Sequence, residues 1–202
     1  MLFLFHKVLA SEQLTSKSLI PERALFMRHA KYDYENNVII DIKEIPKFSE
    51  VCTVFCGTAD RHIKTANNIS HNFVKLDWLN EFDLGDHSEL DIKKALQAAV
   101  ENSSTLTEFE IKCKSVFIDG EAHVKFASES IQDFFTRIIH GLKNFTSSEY
   151  KGKLIFITSR GNLAALQMLA SNNRNYKDWS MTARSFKNCS IHQFQCQTTK
   201  FE

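Results

Sequence analysis

The chain of 202 residues is 43% hydrophobic and 24% charged, the balance of a soluble globular protein rather than a disordered or fibrous one. Its 25 Lys and Arg against 24 Asp and Glu leave a net charge of +1, so no overall field draws it to nucleic acid or to an acidic membrane, and neither partner is expected. Any anion site must be local. The cysteines, Cys52, Cys56, Cys113, Cys189 and Cys196, form neither a CxxC pair nor a zinc spacing, which points to a reduced, cytoplasmic setting. Six glycines and two prolines are too few for long flexible linkers, and residues 1–202 are expected to form a single domain.

The opening MLFLFHKVLASEQ carries an apolar run that His6 and Lys7 interrupt, with no basic lead, and reads as a strand rather than a signal peptide. Ala24 to Met27 form a β-rich tract that ends abruptly in Arg28 and His29, followed by a polar loop, KYDYENN. A second β-rich tract, EVCTVFCG, runs into TADRHIKTANNISHNF, where Ile63, Ala66, Asn67 and Ser70 fall at helical spacing. NFVKLDWLNEF reads as a further strand and SELDIKKALQAAV as a helix.

The clearest helix is expected from Ser128 to Phe145. There Ile131, Phe134, Phe135, Ile138, Ile139, Leu142 and Phe145 make one continuous apolar stripe. KLIFITS follows as a strand with no polar alternation, the mark of a strand covered by helices on both faces. GNLAALQMLA is then a helix, and SIHQFQCQT, which alternates, a closing edge strand. Strand followed by helix is the unit of an α/β fold, and the expectation is a three-layer αβα sandwich with a mostly parallel central sheet.

In such a sheet ligands bind beyond the carboxyl ends of the strands, where the following helices present their N-termini. Arg28, His29, Thr58 and Arg160 all lie at strand ends, and Arg61 lies in the first turn of a helix that follows one. Three arginines and an imidazole in a neutral chain describe a phosphate pocket. Bland readings stand beside this one. A lone Arg-His after a strand is ordinarily a solvated loop end, and Thr58 and Ser159 are residues of the type that cap helices. Asp83, Asp86 and His87 match neither an EF-hand nor a zinc spacing, so no metal is expected, and no cofactor either. His62, His123 and His140 read as surface residues.

These residues carry a resemblance to the histidine phosphatase superfamily, the phosphoglycerate mutases and related phosphomonoesterases. LFMRHAK resembles the family's Arg-His-Gly strand end, with Ala30 in the glycine's place. CGTADRHIKTA resembles the helix start that carries an arginine and a Thr-Ala pair, here Arg61, Thr65 and Ala66. LNEFDLGDHSE offers Leu79, Glu81 and Gly85, SESIQDFFTRI the signature of the long helix, and NCSIHQF the closing strand. One position departs: where the family has a second histidine after its last core strand, LIFITSRGN has Arg160.

The resemblance implies that His29 is a nucleophile forming a phosphohistidine, that Glu81 protonates the leaving oxygen, and that Arg28, Arg61 and Arg160 hold the phosphate. The substrate would be a phosphorylated small molecule or a phosphoprotein. Arg160 leaves two outcomes open: a phosphomonoesterase of reduced activity, or a non-catalytic protein that binds a phosphorylated ligand.

Overall fold

The structure, a computed structural model, describes residues 19–101 and 105–195. The expected N-terminal strand, Cys196 and the end of the closing segment lie outside them, and within the described part of that segment only Ile191–His192 is strand. Five strands make the main sheet: β1 (Ala24–Arg28), β4 (Cys52–Cys56), β5 (Phe73–Lys75), β6 (Lys153–Thr158) and β7 (Ile191–His192). Their order is β5-β4-β6-β1-β7, parallel throughout except for β7, which runs antiparallel at the edge beside β1. β6 lies at the centre, with Phe156 between Phe26 of β1 and Phe55 of β4. The helices are α1 (Asp60–Asn67), α2 (Glu89–Glu101), α3 (Glu108–Phe117), α4 (Ile131–Asn144), α5 (Arg160–Ala170) and α6 (Lys177–Arg184).

Two apolar layers follow from the alternation of side chains along the strands. Phe26, Phe55, Leu154 and Phe156 pack on one face with Phe134, Ile138 and Leu142 of α4 and Leu163 and Leu166 of α5. Phe156 stacks on both neighbours at centroid distances of 4.8 and 4.9 Å. Met27, Val54, Cys56, Ile155 and Ile157 pack on the other face against Ala66 and Ile63 of α1. The absence of alternation in KLIFIT thus has its expected cause, and the molecule is an αβα sandwich.

α4 begins later than expected, at Ile131 where the apolar stripe starts rather than at Ser128, because Ser130 is its cap: Asp133 N–H donates to Ser130 Oγ at 3.1 Å and Ser130 N–H to Asp133 Oδ2 at 3.0 Å. NFVKLDWLNEF is a strand only over Phe73–Lys75. It then tightens into a 3-10 turn at Asp77–Leu79, because Thr158 Oγ1 donates to Leu79 O (2.6 Å) and Asn162 Nδ2 to Trp78 O (3.1 Å), drawing the backbone down onto β6 and α5. The polar loop after His29 is a small hairpin, β2 (Tyr32–Asp33) with β3 (Val38–Ile39). Its turn is made by Asp33, whose carboxylate accepts from the amides of Glu35 and Asn36. Among the described residues no helix is long and apolar enough to cross a membrane.

Candidate functional site

The carboxyl ends of β1, β4 and β6 lie side by side, and the residue after β1 is His29. Its amide donates to Thr158 O at 2.9 Å, which anchors it to the central strand. Its Nδ1 lies 2.7 Å from Ala30 O. A carbonyl only accepts, so Nδ1 carries the hydrogen and Nε2 keeps its lone pair. The amide of Ala30 donates to Thr65 Oγ1 (3.0 Å), and that hydroxyl donates to Arg61 O (2.6 Å). Thr65, read from the sequence as part of a motif, therefore fastens the first turn of α1 to the backbone beside His29.

His29 is only 7% exposed. Its pKa falls from 6.5 to about 3, first through burial, then through the charges of Arg61, Arg28 and Arg160, against the opposing pull of the Ala30 carbonyl. All three arginines are thus close enough to repel a proton from one imidazole. Arg28 donates from Nη1 to Phe186 O at 2.7 Å, in the segment leading to β7. Asn188 Nδ2 from the same segment donates to His29 O at 3.0 Å. Arg61 is the second residue of α1, which starts at Asp60 rather than near Thr58, and Arg160 is the first of α5.

Glu81 reaches this region from a loop held on two sides. Beneath it are the Thr158 and Asn162 bonds to the Asp77–Leu79 turn. On the other side stands Arg137 of α4, which donates to Asp77 O, Asn80 O and Glu81 O at 3.1 to 3.3 Å and pairs with Glu129 at 2.9 Å. Glu129 in turn accepts from Asp83 N at 2.9 Å. The Glu81 carboxylate accepts from its neighbour Phe82 N (3.0 Å) and from Gly161 N in the first turn of α5 (3.3 Å). A Cβ at position 161 would lie 2.1 Å from Glu81 Oε1, so the close approach requires glycine there. The carboxylate sits where a helix N-terminus favours negative charge.

Three sequence readings are corrected. His62 is not a surface residue: it is 0% exposed and its ring lies 5.3 Å from that of His29. Gly57 makes the room, since a Cβ there would come within 2.3 Å of His62 Nδ1. Neither nitrogen of His62 has a hydrogen-bond partner, and burial holds its pKa well below 6.5. Thr58 is not a cap; its amide and hydroxyl bond to the side chain of Asn80. Ser159 is at the N-cap of α5, but its Oγ caps nothing and is buried without a partner.

His123 and His140 are exposed as expected. His192 lies in β7 with Nε2 2.7 Å from Ser190 Oγ, opposite Phe26. No group of three or more His, Cys, Asp and Glu is placed to hold a metal ion among the described residues.

Sequence reasoning missed α3 and α6, and with them a cavity of about 110 Å³ that adjoins Glu81, Arg160 and Gly161. Its walls are mainly Phe82, Leu96, Phe117 and Trp179. One signal for α3 was available: Thr107 and Glu110 form a capping box, readable from their spacing.

No protein-family model and no curated protein matches the chain. Solved structures do. The fold is similar to that of the alpha-ribazole phosphatase from Shigella flexneri, with a TM-score of 0.56 at 14% identity over 83% of this chain and 87% of that one. It is similar to a protein from Escherichia coli K-12 assigned as an alpha-ribazole-5'-P phosphatase, with a TM-score of 0.52 at 16% identity over 73% and 78% of the two chains. A third likeness is to mycobacterial hydrolase 1, with a TM-score of 0.50 at 14% identity over 83% and 88%. At such identities the likeness shows the fold: the chain shares the αβα architecture of these phosphatases.

Proposed function

We propose that the chain is a phosphomonoesterase of the histidine phosphatase type, a single domain acting on a phosphorylated small molecule. The observation that carries this is His29. It is an imidazole held as the Nδ1–H tautomer, neutral to about pH 3, with a free Nε2 and three arginines close enough to depress its pKa. The fold shared with two alpha-ribazole phosphatases supports it. Nε2 attacks the phosphorus; the bond from phosphorus to the ester oxygen breaks, and that oxygen leaves with the electron pair and takes a proton from Glu81. Water then attacks the phosphohistidine. The P–N bond breaks, its electrons return to Nε2, and phosphate is released while Glu81 recovers its proton from the water. Arg28, Arg61 and Arg160 neutralise the phosphoryl oxygens throughout.

Arg160 motivates a second reading, a protein that binds a phosphorylated ligand without turning it over. A guanidinium that held ground state and transition state alike would bind the phosphate without accelerating its transfer, and it cannot exchange a proton at neutral pH, whereas the resembling family has an imidazole at that position. The two readings part on one measurement. Purified protein mixed with a labelled aryl phosphate and quenched in alkali carries an acid-labile label on His29 if it is an enzyme, and His29→Ala carries none. Absence of label in both proteins, together with protection from heat by inorganic phosphate or vanadate, selects the binding protein. Arg160→His raises kcat in an enzyme slowed by the arginine, by a factor on the order of 10² if a transition-state donor is restored.

A further inference from the structure

The cavity beside Glu81 is chemically unlike the basin around His29. Phe82, Leu84, Ile92, Leu96, Phe117 and Trp179 furnish its walls, from the loop after Glu81 and from α2, α3 and α6. The polar groups within those walls are already occupied: Trp179 Nε1 donates to Gly161 O at 2.9 Å and Ser180 Oγ to Phe117 O at 2.7 Å. What remains for a ligand is an apolar surface bordered by Glu81, by Arg160, next in sequence to the Gly161 that donates to Glu81, and by the exposed Arg184. Arg160 belongs to both regions, because it lines the cavity and its charge also acts on His29.

We propose that this cavity receives the group esterified to the phosphate, and that this group is apolar and of about one aromatic ring. The proposal rests on the phosphate site described above and names its substrate class: arylalkyl phosphomonoesters in preference to sugar and polyol phosphates. A sugar would bring several hydroxyls against walls whose donors and acceptors are already paired, leaving its own groups desolvated and unsatisfied. A phenyl-sized body replaces water on Phe and Leu surfaces and loses nothing. The size is of the same order: a cavity of roughly 150 Å³ lined by such residues holds benzene in another protein, against about 110 Å³ here. With the phosphate held by Arg160, a group seated there brings its ester oxygen to the part of the wall that Glu81 and Arg160 line, beside the carboxylate that would protonate it.

Non-hydrolysable ligands test this whether or not the protein turns over. Benzylphosphonate and methylphosphonate share the charged head and differ by a ring, and their dissociation constants are read by calorimetry alongside inorganic phosphate. Benzylphosphonate is expected to bind at least tenfold more tightly than methylphosphonate, the yield of burying one such group. Leu96→Asp, which puts a charge on the wall, and Leu96→Trp, which fills the space, both bring the ratio towards one. Where turnover is measurable, benzyl phosphate exceeds glycerol phosphate in kcat/KM by a similar factor; both are primary-alcohol esters, so leaving-group chemistry does not produce the difference. Equal affinity for the two phosphonates, with phosphate still bound, overturns the cavity assignment and leaves the phosphate site standing. Failure of phosphate, vanadate and both phosphonates to bind overturns the site itself.

Discussion

Two regions of this molecule treat their polar side chains in opposite ways. At the start of α4, Ser130, Asp133, Glu129 and Arg137 satisfy one another and the backbone around them: a capping box, an ion pair, and a guanidinium that closes on three carbonyls. Above β1, β4 and β6, Thr65, Thr158 and Asn188 are hydrogen-bonded, but other polar groups are buried without that closure. Both nitrogens of His62, the hydroxyl of Ser159 and the side-chain oxygen of Asn162 have no partner. Buried polar groups are nearly always hydrogen-bonded, and each orphan costs roughly 1–3 kcal/mol. The polar groups at α4 thus hold the chain rigid, whereas the unsatisfied ones over the strand ends carry a stability cost that the fold does not offset locally.

The widest separation between the two regions comes from a pair of arginines. Arg137→Ala strips Glu129 of its partner, leaves a carboxylate whose side chain is 13% exposed, and frees three carbonyls. A loss of about 2–4 kcal/mol is expected in denaturant unfolding. Arg61→Ala removes one of three like charges around His29 and is expected to leave stability unchanged or slightly raised. Turnover of an aryl phosphate falls in that variant by a factor on the order of 10² to 10³. Were Arg61→Ala the less stable of the two, the contrast between a structural and a ligand-directed arginine would be lost.

The next effect is read against pH. An imidazole has a pKa near 6.5 unfolded, while folded His29 stays neutral to about 3 and the pKa of His62 is also held well below 6.5. As pH falls below 6.5 the unfolded chain takes up protons that the folded one refuses, so stability falls. Above 6.5 these two groups contribute no slope. Each contributes up to about 1.4 kcal/mol per pH unit within that window, and His192, whose pKa burial also lowers, adds in the same direction. His62→Leu removes one titrating group and two orphaned nitrogens together. It is expected to flatten the fall measured between pH 6 and 4.5 and to gain at least about 2 kcal/mol at pH 5. An unchanged slope would mean that His62 is hydrated or paired in solution. Phosphatase activity, for its part, should show no loss near pH 6.5 from protonation of the nucleophile.

The same contrast explains how far the sequence could be read. Order along the strands was legible because each apolar tract ends in a charged or small residue: Met27 before Arg28, Ile157 before Thr158 and Ser159. Those ends meet in any sheet in which β6 lies between β1 and β4, so Arg28, His29, Arg61 and Arg160 could be assembled without coordinates. His62 could not, because its burial is decided by the missing side chain of Gly57 on another element. The turn at Asp77–Leu79 was read as strand because the bonds that bend it come from Thr158 and Asn162, about eighty positions away. The long-helix motif was recognised as a family signature, yet nothing in its spacing says that Arg137 closes on the loop that carries Glu81. α6 buries Trp179 and Ala183 over only two turns, too short a stretch for periodicity to register.

Gly161→Ala probes the seam between the two regions with the smallest change. An alanine Cβ would lie 2.1 Å from Glu81 Oε1 and 3.2 Å from the Trp179 ring. The nearer atom is the end of a flexible side chain, so the carboxylate swings aside and the fold survives. Alanine also favours the helix, by about 1 kcal/mol at an interior position. Stability is therefore expected to change by less than about 1 kcal/mol. The rate should separate by leaving group. An alkoxide needs the proton that Glu81 would supply, so benzyl phosphate turnover falls by about tenfold, a fraction of the 10² to 10⁴ that a well-placed acid contributes. A nitrophenolate leaves without that proton, and its rate stays within about twofold of wild type. Equal losses for both substrates would assign Glu81 to holding α5 in place rather than to proton transfer.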